Sequence, residues 1–173
     1  MAVYNDKDKL LILEFKRQEL VYEISNLGYI IRDSSKRETP DEGKNIADIE
    51  ATGNVDRISR LLDLAYADVL RILSAFVDHK VETDAYGNDI QQDPDSYFVM
   101  ITLKHNMPGT TENLLRIYIH EFMVDKVMGE WLLTVAPDKA TTWLEKSQAM
   151  ETNIKGAMSA RKSFSQIKPS VWG

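Results

Sequence analysis

Three histidines, His79, His105 and His120, are the groups in this sequence best suited to bind a metal or move a proton near neutral pH. Their spacing supports neither role. A zinc-protease helix needs HExxH, with two histidines one turn apart. The stretch "HEFMVDK" at His120 supplies the first histidine and the glutamate but not the second histidine. His120 is therefore expected on a helix surface or at an interface. Four aspartates, Asp84, Asp89, Asp93 and Asp95, stand close enough in sequence to hold a hard cation such as calcium. Their intervals do not follow the EF-hand, which alternates acids or amides before a glycine and closes on a glutamate. They read as a solvated acidic loop. Asp41 and Glu42 also fall in a polar loop, with nothing beside them to bury an acid and raise its pKa. The eight glycines are scattered, and no GxGxxG, GxxxxGK[ST] or GxSxG occurs. Cysteine is absent, which removes disulfides and thiolate metal sites and fits a reducing compartment. The expectation is a protein that is not an enzyme and takes no metal and no cofactor.

The more informative chemistry is at the end, "SARKSFSQIKPSVWG". From Arg161 to Gly173 run three cations (Arg161, Lys162, Lys168), no acid, and four large apolar groups, Phe164, Ile167, Val171 and Trp172. Pro169 bars a helix there and pushes Lys168 toward extended backbone. Chain ends that stay disordered are usually poor in large apolar groups. Burying each of the four contributes ~1.5–3 kcal/mol, against ~1–2 kcal/mol for every residue ordered. For one tail folding back alone the balance is near zero. It becomes favourable when many copies dock together on a preformed groove. Residues 161–173 are thus expected to form an extended docking tail on a domain spanning 1–160.

Charge points the same way. The whole chain carries −6, but four cations and no acid lie beyond Glu151, so residues 1–151 carry −10. An acidic body repels nucleic acid at long range. A basic tail on it can dock on an acidic neighbour, including another copy of the chain.

The elements that must carry this tail are mostly helices. With 173 residues and 43% hydrophobic composition, one domain with its own core is expected. In the opening "MAVYNDKDKLLILEF" the apolar run is only four residues before Glu14, too short for a signal sequence or a membrane span. Leu10, Leu13, Leu20, Ile24 and Leu27 suggest a first helix over about 6–31, with Gly28 near its stop. Residues 32–45 read as a loop. The clearest periodicity follows: Val55, Ile58, Leu62, Ala65, Val69, Ile72 and Phe76, alternately three and four apart, with Asn54 placed as a cap. Leu61, Leu70 and Leu73 widen this seam into a bundle face. Residues 80–104 read as an insertion. Its "YFVMITLK" is the best strand candidate, with "HKVET" as a possible partner. A long helix over 114–135 is apolar nearly all round and so central. Thr110 or Thr111 caps it. After "APDKA" a last helix presents a thinner seam: Ala140, Trp143, Ser147, Met150, Ile154 and Ala157. The fold class is mainly α, a helical bundle with a small β-hairpin insertion and an extended C-terminal tail.

The stretch "YIHEFMVDKVMGEWLLTVAPDKATTWLEKSQAMETNIKGAMSARKSFSQIKPSVWG" resembles the end of head-to-tail connector (tail adaptor) proteins of tailed bacteriophages, especially those of Bacteroidetes phages, including the crAss-like group. The shared features are a long apolar helix ending "EWLLTVAPDKA", an amphipathic helix, and a basic tail closing on a proline and an aromatic. The resemblance covers roughly residues 114–173. It implies a structural virion protein assembled in the host cytoplasm and placed in the neck of the virion. Such proteins form a homo-oligomeric ring of twelve copies below the portal protein and bind the next tail component on their other face. DNA passes the lumen without being read, and no membrane is involved. Carried onto this chain, Arg161, Lys162, Phe164, Ile167, Lys168, Pro169, Val171 and Trp172 would dock on the portal. Residues 80–104 would touch a neighbouring subunit or the next ring. The rivals are a soluble bacterial helical-bundle interaction module and an enzyme whose site is assembled from dispersed residues.

Overall fold

A computed structural model describes residues 9–35, 49, 54–77 and 94–161, without the side chains of 34 and 35. The chain is mainly helical, with one small antiparallel sheet. In order, the elements are β1 (Lys9–Lys16), α1 (Arg17–Ser35), α2 (Val55–Ile72), β2 (Ser96–Leu103), α3 (Thr111–Val135) and α4 (Pro137–Ser159).

The helix expected from residue 6 is corrected at its start, because residues 9–16 are a strand. Leu11, Leu13 and Phe15 alternate into the core, while Leu10 and Ile12 face outward and are exposed. A period of two was concealed because the outward positions are apolar as well. Nor does Gly28 end the helix: α1 runs through it to Ser35. The cost of a glycine inside a helix, ~1 kcal/mol, is overridden by the face on which Leu20 and Ile24 are fully buried.

β2 forms as expected within 80–104, but its strand partner comes from the other end of the chain. β1 pairs with it antiparallel from Lys9↔Leu103 to Lys16↔Ser96. β2 also makes a single bridge, Val77↔Ile101, where Thr102 N–H donates to the Phe76 carbonyl at 3.1 Å. The chain therefore arrives beside β2 just before "HKVET", which lies outside the described residues. Tyr97, Val99, Ile101 and Leu103 alternate into the core opposite Leu11, Leu13 and Phe15.

α3 is the centre of the molecule. It packs against α4, α2, α1 and β1, and buried side chains project from it in nearly every direction. This explains a 25-residue helix with apolar groups all round. Trp131, its largest buried side chain, lies under Arg57 of α2, whose guanidinium is 5.5 Å from the ring centre. Ala136 alone joins α3 to α4, which begins with Pro137 where no N–H is needed. The two helices are in close contact at Gly129, where a Cβ would stand 2.6 Å from Leu144 Cδ2.

The α2 seam holds in its middle and drifts at its end. Ile58, Leu62, Ala65 and Val69 are buried, and Leu73 rather than Ile72 continues the line. A straight helix repeats every 3.6 residues, so a strict 3–4 alternation rotates off the core after two or three heptads. Tyr66 and Tyr97 fasten α2 to the sheet. Their rings are 5.1 Å apart, Tyr66 Oη donates to the Phe98 carbonyl, and Tyr97 Oη donates to Asp63.

Candidate functional site

The expected docking tail is described only at its root. Lys162, Phe164, Ile167, Lys168, Pro169, Val171 and Trp172 lie outside the described residues. α4 ends at Ser159, and Ala160 turns to extended backbone (φ −62°, ψ 142°). Arg161 Nη1 donates to the carbonyls of Met158 at 3.0 Å and Ala160 at 2.7 Å. It thus supplies donors and positive charge at the carbonyl end of the helix.

Of the groups first weighed for chemistry, His79, Asp41, Glu42, Asp84, Asp89 and Asp93 also fall outside the described residues. Asp95 accepts the Arg17 N–H on its main-chain carbonyl at 3.0 Å, so it ties the start of α1 to the start of β2. His105 stands in the turn after β2. His120 projects from α3 to Glu23 of α1, with Nε2 2.6 Å from the carboxylate. Among the described residues no group of three or more histidines or carboxylates is placed to hold a metal ion. No helix among them is long and apolar enough to cross a membrane.

Surfaces stand out more than catalytic groups. The outer face of the sheet carries Leu10, Ile12 and Phe98, all exposed, with half-buried Met100 opposite Ile12. Among the described residues β1 pairs with one strand only, β2. On α1, Tyr22 (68% exposed) and Ile30 (65%) point away from the core, with Tyr29 beside them. The contiguity of the first patch came from β1, which the periodicity had hidden. The all-apolar "LLIL" was the signal that could have found it.

Beside the start of the fold lies an open cleft of about 240 Å³. Glu14 and Phe15 line it from β1, Glu19 from α1, and Arg116, Ile117 and Glu121 from α3. β1 and α3 hold this spacing through the Leu11–Leu13–Phe15 face and through Lys9, whose ammonium is 2.8 Å from Glu112. That contact holds the Glu112 carboxyl below its usual pKa. A second cleft, about 290 Å³, separates α2 from α3 and is lined by Leu61, Leu64, Asp68, Lys126 and Glu130. Deeper in α3, Asp125 is buried (6% exposed). Burial pushes its carboxyl up to about 6. The Lys146 charge pulls it down, and Glu121 and Glu23 add to the rise.

No protein-family model matches the chain, and no curated protein or solved structure matches it either.

Proposed function

We propose that the chain is a structural subunit of a ring, a head-to-tail connector of a bacteriophage virion that docks on the portal through residues 161–173. One observation carries the reading: large apolar side chains are exposed in two groups, one on the sheet and one on α1. These are the outer face of the sheet (Leu10, Ile12, Phe98) and the outer stripe of α1 (Tyr22, Tyr29, Ile30). A closed ring is built by heterologous contacts, in which one patch of each subunit meets a different patch of the next. A two-fold dimer needs only one. Single exposed apolar residues are ordinary, but contiguous groups mark interaction surfaces. The acidic body suits a lumen through which DNA must slide without being gripped. The tail begins where the bundle ends, because the α4 seam stops at Met158 and Ala160 breaks the helix.

The test is mass and partner together. The purified chain is mixed with portal rings, sedimented and imaged. Rings of about a dozen copies seated on portal, lost on truncation at residue 160, are the expected result. A stable monomer indifferent to portal would replace this reading with the bacterial interaction module.

A further inference from the structure

We propose that the cleft between β1 and α3 is the seat of this chain's own C-terminal segment, residues 162–173, in the unassembled protein. The argument begins with where that segment starts. α3 and α4 have 25 and 23 residues and are joined by one residue. At ~1.5 Å per residue the antiparallel hairpin returns Ser159 to the level of the first turn of α3. Ala160 then directs the chain out of the helix. Twelve residues remain, enough to reach ~40 Å when extended.

A path is open from there to the cleft. On the first half of α3, Leu114 (36% exposed) and Ile117 (55%) leave an apolar stripe uncovered, and Glu121 continues it. These positions, three and four apart, share one side of the helix. From Leu115 to Glu121 is ~9 Å along the axis, well within reach.

The chemistries are opposite. The segment has Lys162 and Lys168, no acid, and Phe164, Ile167, Val171 and Trp172. The cleft offers Glu14, Glu19 and Glu121, Glu19 being 3.2 Å from the Lys16 ammonium, against Arg116 and His120, with Phe15 and Ile117 as apolar floor. Tethering favours the chain's own tail over a second copy, since a short linker gives an effective concentration in the millimolar range. The apolar gain and the ordering cost of such a tail nearly cancel, so the attraction between its lysines and the cleft's carboxylates tips the balance toward the seat in the free chain, and a stronger partner displaces the tail. The inference concerns the isolated chain, so it stands or falls separately from the portal.

Because the chain has no cysteine, the contact can be trapped directly in the full-length protein. Ile117→Cys is combined in turn with Phe164→Cys, Ile167→Cys and Val171→Cys, and each variant is oxidised at about 1 μM. Expected is an intrachain disulfide in at least one pair, its yield independent of protein concentration. It should exceed by several-fold the yield with a control cysteine at Leu64, which is exposed on α2. Adding Glu14→Lys and Glu121→Lys should lower the yield several-fold at low salt and less at high salt. Disulfide dimers that grow with concentration would overturn the proposal, as would a yield no better than the Leu64 control or one unmoved by the charge reversals. All substituted cleft positions are at the surface. Circular dichroism of each variant should match the parent, and hydrogen exchange at Ile117 in the unmodified chain, slower than in a chain ending at 161, gives the same answer without cysteines.

Discussion

Replacing Asp125 by asparagine should stabilise the protein at neutral pH, and the gain should vanish in acid. Asp125 is almost fully buried on α3. Burial, and then Glu121 and Glu23, disfavour its charge more than Lys146 favours it. Its carboxyl therefore titrates at about 6 in the fold, against an ordinary 3.8. A carboxyl raised by folding binds its proton more tightly in the folded chain. Stability from this group is therefore full below pH ~4, falls as pH rises toward 6, and is flat above. The difference corresponds to at most about 3 kcal/mol, with the attraction to Lys146 already counted in it. An asparagine side chain has nearly the same shape and no charge, so Asp125→Asn should gain about 1–3 kcal/mol at pH 7.5. In a domain of this size that is several degrees in Tm. Urea unfolding followed by circular dichroism, parent and variant side by side at pH 7.5, 5.5 and 4, isolates the group, because every other titration is common to both. A variant no more stable than the parent at pH 7.5 would mean that Lys146 already satisfies the buried charge. A gain that persists at pH 4 would mean that shape, not charge, is responsible.

Leu62→Ala, at a fully buried position, should cost ~2–5 kcal/mol. Ile72→Ala, on the half-buried end of the same seam, should cost less than half as much; equal urea midpoints would contradict the drift of α2 off the core. Gly129→Ala should lower stability despite the ~1 kcal/mol that alanine adds to a helix. Its Cβ would meet Leu144 Cγ at 2.9 Å and the Leu144 backbone nitrogen at 3.3 Å, and such overpacking costs ~1–3 kcal/mol. A higher Tm would show that α4 yields freely. Ile12→Lys, on the outer face of the sheet, should leave the unfolding midpoint within ~0.5 kcal/mol of the parent while reducing sedimentation with portal; unchanged sedimentation would remove that face from the assembly contacts.

Helices were legible wherever one face alone was apolar, or all faces were. The middle of α2, with Ile58, Leu62, Ala65 and Val69 buried, and the whole of α3 followed from spacing. So did α4, whose Ala140, Ser147, Ile154 and Ala157 are buried. Strand β2 was legible from its β-branched and aromatic run. Its partner was not, because pairing between residues 9–16 and 96–103 depends on contacts some eighty residues apart, and local periodicity carries no information about them. The cleft was invisible for a similar reason. Glu14, Glu19 and Glu121 are ordinary surface acids in sequence and line one cleft only when β1 is laid beside α3.

The misread strand also bears on function. Leu10 and Ile12 fitted a helix because an apolar run satisfies a period of 3.6 as readily as a period of two. In a monomeric two-sided strand, the outward residues should be polar, and Glu14 and Lys16 obey that rule. Leu10, Ile12 and Phe98 break it on adjacent strands, where each is about half exposed. An exposed apolar sheet face invites contact with other chains, and proteins that remain single usually blunt it with charge or cover it. Here the charges of β1 are Lys9, Glu14 and Lys16, and Leu10 and Ile12 between them remain about half exposed. Local rules are broken most often where something other than the fold is served. On this chain the break falls on the outer face of the sheet, at Leu10, Ile12 and Phe98.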